Sequence, residues 1–484
     1  MLVIGLDVGT TGTKALVIDE AGRVLSGAYR EYELKSDGAR VSQNADDWWD
    51  AVKYTVREAA SKVDRAKIAA VSLSTQGASM LATDADGRPL CDVITWMDSR
   101  AAREVEYLDG AIGTETIYKK CGWPLTPAGD AAKILWLKNE EPGVFESAAC
   151  FPSTIEFINK KLTGRFVTDP TNAAIRQLFN ISTCDWDDDI LDAVGITKDR
   201  LPEVASVGDL VGTLTPDAAD ALGLSQDVKV FCGAHDQYAA SIGAGAVNAG
   251  DMMLATGTAW VVLGITDKLL YTKNHICPGL HPAKGRYGAM ASLVSAGSAL
   301  KWYKNLIAGD FRTMDENAEK RVLSAKDLLV LPYVAGAGFP HDRPEAGGVI
   351  AGFRLGHDRY DIARAFMEGV AFEARSVIDE FASSGMKINR LMMTGGAARS
   401  DVWSKIVGDV TKCEVRRPAE PETCCVGAAQ TALVGLGAYP DYDACRAALV
   451  DASPIENDPS LEAFYDEKYE KYRELRRRIL NSAE

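Results

Sequence analysis

Two short clusters of residues have the types and spacing for phosphate chemistry. The first is Asp7, Gly9, Thr10, Thr11, Gly12 and Thr13, set between the apolar runs Leu2 to Leu6 and Ala15 to Ile18. An apolar run, a Gly/Thr turn and a second apolar run make the pattern of a β-hairpin. Gly9 and Gly12 allow tight backbone geometry and close approach, so amide groups and threonine hydroxyls can converge on an anion. Asp7, at the end of a buried strand, is placed to hold a hydrated Mg2+ beside that phosphate. An ordinary N-terminal hairpin with a Gly-rich turn fits the same residues. The second cluster lies in Asp251 to Ile265, where Gly257 and Thr258 again separate two apolar runs. The opening element thus occurs twice, which suggests two lobes presenting phosphate-binding hairpins to one shared cleft.

Other elements must position what these hairpins act on. Asp46 to Val63 has Trp48, Val52, Val56, Ala59 and Val63 at helical spacing, with Asn44 or Asp46 as its cap. Ile68 to Leu73 reads as a buried strand delivering Gln76, Gly77 and Ala78 at its C-terminal end, where ligands collect in open α/β sheets. Val93 to Trp96 leads into Asp98 and Arg100 and then a helix, and residues 121–245 read mainly as helices. The strand Val228 to Cys232 ends in Gly233, Ala234, His235, Asp236, Gln237, and the Gly- and Ala-rich stretch Ala240 to Gly250 reads as the crossing between domains 1–245 and 246–484. A long helix over Asp358 to Phe381, a short strand over Leu391 to Thr394 running into Gly395, Gly396 and Ser400, and a charged tail helix over Leu461 to Leu480 complete the pattern.

At 484 residues the chain is long for a single core and predicts two domains. A net charge of -15 disfavours nucleic acid or an anionic membrane surface as partner and suits a small neutral or cation-accompanied ligand. No apolar run approaches bilayer length and no leader pattern precedes the first strand, so the expected location is cytoplasmic. The ten cysteines are scattered, Cys424 and Cys425 alone being close, and the five histidines show no ligand spacing; reduced thiols and no Cys/His metal site are expected.

In order, the pieces are a DxGTT hairpin from Asp7, a W-x-D-x-R turn over Trp96, Asp98 and Arg100, a strand ending in GAHDQ, a second TGT hairpin, and a GGAARS turn from Gly395 to Ser400. This series, spanning roughly residues 1–440, resembles the FGGY carbohydrate kinases, and the xylulokinase branch most. The resemblance implies an α/β fold of two ribonuclease H-like, actin-like ATPase domains closing over a sugar and MgATP. It implies that Thr10, Thr11 and Thr13 face the transferring phosphate, that Asp7 holds the metal, and that Gly257 and Thr258 form the second phosphate loop. Gly297, with Gly395, Gly396 and Ser400, would line the adenosine pocket; the family often has Asn at the last of these positions. A homodimer is common in the family, and no stretch of this chain argues for or against one.

On this reading Asp236 orients the sugar hydroxyl and takes its proton, since such hydroxyls are poor nucleophiles at neutral pH. Its plainer role is the N-cap of a helix over Gln237 to Ala244, which is compatible with the first. Xylulokinases carry Gln-Met-His-Gly where this chain has Gln76, Gly77, Ala78, Ser79. Small residues there imply a wider pocket unless Trp48, Trp96 or Trp123 fills it. Trp96, Asp98 and Arg100 are then candidate sugar contacts, beside Asp236 and Gln237, against the alternatives of Trp96 as core and Asp98 paired with Arg100 or Arg103. The substrate expected is a ketose such as D-xylulose, with another ketose, a polyol or a sugar acid as alternatives. An ATP-switched regulatory protein and an actin-fold hydrolase or phosphatase are the competing functions.

Overall fold

The computed structural model describes residues 1–481. The apolar runs read from the sequence become two separate sheets. The first has six strands in the order Leu210–Thr213, Lys229–His235, Ile68–Thr75, Leu2–Val8, Gly12–Asp19, Val24–Glu31. Leu2–Val8 pairs antiparallel with Gly12–Asp19, placing Asp7 opposite Lys14, and parallel with Ile68–Thr75, which is itself parallel to Lys229–His235. The parallel neighbours therefore end along one edge, and Asp7, Gln76 and Asp236 stand there.

The second sheet repeats the plan. Tyr287–Leu293, Trp260–Thr266 and Asp251–Thr256 are antiparallel, and Arg390–Gly395 and Val415–Pro418 then follow parallel to Asp251–Thr256. Cys277–Leu280 and Ala452–Ile455 close its two edges. Each sheet is thus a ribonuclease H-like core, and the whole is the α/β, two-domain, actin-like arrangement. The two lobes suggested by the paired hairpins are here two sheets that share one strand order.

Helices cover the sheets where their periodic faces demand it. Ala45–Ala60 starts at Asn44, whose side chain accepts a hydrogen bond from the Asp46 amide, and it buries Trp48, Val52, Val56 and Ala59. Full burial of Val52 or Val56 stabilises by about 1.5–3 kcal/mol each. Arg359–Ser383 is capped by Asp358, and the tail helix Glu462–Asn481 lays Tyr465, Tyr469 and Tyr472 against it.

Two helices join the halves. Asp236–Ala244 and Thr423–Gly435 cross so closely that a Cβ at Gly427 would sit 1.8 Å from the Ala239 carbonyl oxygen. The second of them, although late in the chain, also packs on the first strand, where a Cβ at Gly5 would lie 1.9 Å from the Cys425 carbonyl oxygen. This corrects the reading of Ala240 to Gly250 as a connecting stretch. Residues 240–244 are the end of a helix that stops at Gly245 in the left-handed region, and only 245–250 connect. Small residues recur there because two backbones must touch. Among the described residues no helix is long and apolar enough to cross a membrane.

Candidate active site

The first hairpin tip is tied down on every side. The Gly9 amide donates to the Gly12 carbonyl at 3.1 Å, Tyr32 Oη donates to the Gly9 carbonyl, and Gln43 Nε2 donates to the Thr10 carbonyl at 2.6 Å. Thr10 and Thr11 keep accessible side chains, whereas Thr13 is fully buried beneath the tip. The turn is therefore rigid before any anion arrives, as a preorganised phosphate site needs to be.

Asp7 accepts a hydrogen bond from Ser74 Oγ at 2.7 Å. Burial, and next the nearby Asp236 carboxylate, push its carboxyl up to about 7, against the opposing effects of the Ser74 bond and Lys14. Lys14 is itself paired with Glu422 of the second half at 2.5 Å. A carboxylate so costly to ionise alone is suited to a divalent cation. Among the described residues no three His, Cys, Asp or Glu side chains gather as a metal cage. A cation at Asp7 would take most of its shell from phosphate oxygens and water, which is the habit of Mg2+.

The neighbouring strand ends carry the other candidates. Gln76 is buried, its amide nitrogen on Gln43 Oε1 at 3.1 Å and its Oε1 without a partner. Ala78 has φ of 49° and is 2 % exposed, and its carbonyl accepts from the buried Lys133 Nζ at 2.6 Å. Its methyl thus faces packed interior, not an opening. Trp48 lies in the core, while Trp96 is 44 % exposed and donates its indole N–H to Thr10 Oγ1 at 3.0 Å. Trp96 is accordingly no core residue, and it ties the segment after strand Val93–Ile94 to the tip of the first hairpin. Asp98 is buried with both oxygens on Arg100 at 2.7–3.0 Å and one accepting from the Val41 amide, so the pairing alternative describes it.

Asp236 is the first residue of helix Asp236–Ala244, with His235 in the cap position and making no side-chain cap bond. Asp236 therefore is not the N-cap; the strand Lys229–His235 runs three residues further than its apolar pattern, and the helix begins one residue sooner. The Asp236 side chain is 29 % exposed. Gln237 Nε2 donates to its Oδ1 at 3.1 Å, and the Gln237 Oε1 is buried without a partner. From the other half, Cys424 Sγ lies 3.7 Å from the Asp236 carbonyl.

The second hairpin opens on a cavity of about 1090 Å³ lined by Gly257, Thr258, Gly297, Gly396 and Ser400. Gly297 closes on the turn: a Cβ there would meet the Gly257 carbonyl oxygen at 2.2 Å. Gly395 stands behind the lining at φ of 88°, shaping the strand-to-helix turn. Ser400 caps helix Asp401–Thr411, accepting from the Trp403 amide at 3.0 Å. Sequence reasoning missed Asp315, Lys301, Arg364 and Trp403, which also line this cavity. Asp315 faces it from helix Phe311–Ala318, and burial raises its carboxyl against a hydrogen bond from Ser400. Nothing local to Asp315 marks it, because its neighbours come from a segment some 85 residues away in the chain.

The geometry is thus a preorganised anion turn with a half-buried carboxylate, a second carboxylate at an adjacent strand end, and a nucleoside-sized cavity beside a second turn. Residues 2–243 match the model for the FGGY family of carbohydrate kinases, N-terminal domain, and residues 252–436 match the C-terminal domain of the same family. The chain belongs to the FGGY family of carbohydrate kinases. It is a sugar kinase, and so a phosphotransferase. It is 28 % identical to a xylulose kinase of Bacillus subtilis over 92 % of this chain and 90 % of that one, and 28 % identical to a gluconokinase of Bacillus licheniformis over 91 % and 89 %. The solved ligand-bound xylulose kinase of Lactobacillus acidophilus superposes with a TM-score of 0.93 at 26 % identity, over 99 % of this chain and 98 % of that one.

Proposed function

We propose that this FGGY kinase transfers the γ-phosphate of ATP to a hydroxyl of a neutral ketose such as D-xylulose. The observation that supports this most is Asp236, a half-open carboxylate at the strand end beside the Asp7 phosphate turn. As the sugar oxygen bonds to the γ-phosphorus, its proton passes to Asp236, the bond from phosphorus to the bridging oxygen breaks, and ADP leaves with that electron pair. Thr10, Thr11 and the amides of the first turn hold the transferring phosphate, and Gly257 and Thr258 hold the phosphates behind it. Gly297, Gly396 and Ser400 line the space for the nucleoside. Asp7 would hold Mg2+, which supplies charge neutralisation on the phosphate oxygens.

The charge pattern favours a neutral sugar over a sugar acid. Lys14 is paired with Glu422, Arg100 with Asp98, and Lys133 with the Ala78 carbonyl. A carboxylate substrate would call for an unengaged cation. The test is coupled ADP release with MgATP against ketopentoses, ketohexoses, polyols and gluconate. Turnover well above background with a neutral ketose supports the proposal; preference for gluconate overturns the substrate class, and equal ADP release with and without sugar overturns the kinase reading.

A further inference from the structure

His235 stands immediately before Asp236 and is absent from the mechanism above, yet its ring is more tightly constrained than a spacer requires. It is 6 % exposed. Gly77, on the adjacent strand end, leaves the slot that the ring fills: a Cβ at Gly77 would meet His235 Cδ2 at 2.5 Å and Nε2 at 3.0 Å, with Ile175 Cγ2 also at 3.0 Å. Tyr238 approaches the ring edge-on at 6.3 Å between centroids, and the His235 amide donates to Thr171 Oγ1 at 2.8 Å. Held this way, His235 Nε2 lies 3.4 Å from Asp236 Oδ1. Gln237 Nε2 reaches the same oxygen at 3.1 Å. No described residue donates to Asp236 Oδ2, and His235 Nδ1 is buried without a partner.

The two carboxylate oxygens are thus unequal. We infer that His235 is a positioning residue for Asp236: with Gln237 it anchors Oδ1, and so reserves Oδ2 to receive the proton of the sugar hydroxyl. The role requires a hydrogen on Nε2, the ring nitrogen that lies nearer the carboxylate. At 3.4 Å the pair is a close contact whose ring N–H is not aligned for a hydrogen bond in this structure; the alignment belongs to the substrate-bound state, since catalytic contacts often tighten only when substrate binds. One hydrogen bond among the several that hold a sugar contributes little to docking, whereas proton transfer depends on it directly, so loss of the carboxylate's orientation lowers kcat far more than it raises KM.

The inference rests on the reading of Asp236 as proton acceptor, and the experiment separates the two. His235→Phe fills the Gly77 slot without a donor, and His235→Gln restores a donor at the ε position. In His235→Phe, kcat for sugar phosphorylation falls about 10-fold while KM for sugar and for MgATP stays within about twofold. His235→Gln recovers most of the loss, and a merely structural ring would show the reverse order. Gly77→Ala gives a second test through the neighbour: its methyl displaces the ring, so it lowers kcat alone and adds nothing in the His235→Ala background. Melting temperature and ADP binding confirm that each variant is folded. Wild-type kcat in His235→Phe, or no recovery in His235→Gln, overturns the inference. If Asp236→Asn is inactive in that case, only the role of His235 fails; if Asp236→Asn keeps wild-type turnover, the reading of Asp236 fails and this role with it.

Discussion

Asp7 carries a cost that can be measured as stability. Its carboxyl is pushed up from 3.8 to about 7, first by burial and then by Asp236. Between those pH values the folded chain holds a proton that the unfolded chain has released, so stability falls as pH rises through this window, and the loss is complete above about pH 8. At about 1.36 kcal/mol per pH unit the ceiling is about 4 kcal/mol, and partial solvent screening of a side chain that is not wholly enclosed brings it to about 2 kcal/mol. Asp7→Asn removes the charge and still accepts from Ser74. Without Mg2+ or nucleotide, the variant melts higher than wild type at pH 8, by about 4–8 °C if half the chain unfolds as one unit. The gain at pH 5.5 is about half of that, because wild-type Asp7 is then largely protonated. The same variant loses Mg2+-dependent turnover, as expected of a residue kept for function at the expense of stability. Differential scanning calorimetry across pH 5 to 8 decides the matter. A gain that does not grow with pH, or a loss of stability at pH 8, refutes the argument.

Three further outcomes are expected. Gly297→Ala sets a methyl 2.2 Å from the Gly257 carbonyl oxygen; the second phosphate turn must shift, and ADP affinity by calorimetric titration falls at least about tenfold, or about 1.4 kcal/mol. Ser400→Ala loses the cap on Asp401–Thr411 and about 1 kcal/mol of stability, whereas Ser400→Asn keeps it, which parallel melting curves will distinguish. Ala78→His forces a large side chain onto a buried residue with φ of 49°, so it destabilises by about 2 kcal/mol or more, read by denaturant titration, in place of simply narrowing substrate choice.

The fold was legible because its signals are local. Both hairpins declare themselves by apolar runs around Gly/Thr turns, and the strands ending at Gln76, Asp236 and Gly395 by their buried runs. Much of the candidate site follows from those strand ends, since parallel neighbours in one sheet bring Asp7, Gln76 and Asp236 to one edge. What was not legible depends on contacts between distant segments. The small residues of 240–244 look like a loop until helix Thr423–Gly435 lies against them. Ala78 looks like a missing side chain in a pocket, and only its left-handed backbone and the Lys133 tie show that it faces inward. Thr13 shares the hairpin's composition with Thr10 and Thr11, but it lies inside strand Gly12–Asp19, which is buried along almost its whole length. Asp315 enters the nucleoside-sized cavity from a helix that carries no motif at all.

The most direct measurement is sugar-dependent ADP release by wild type and Asp236→Asn at saturating MgATP, with ADP binding measured on both. Asp236→Asn is expected to lose turnover by about 10²–10⁴-fold while binding ADP as wild type does. Near wild-type sugar-dependent turnover in Asp236→Asn would contradict the assignment of the proton acceptor on which the mechanism stands.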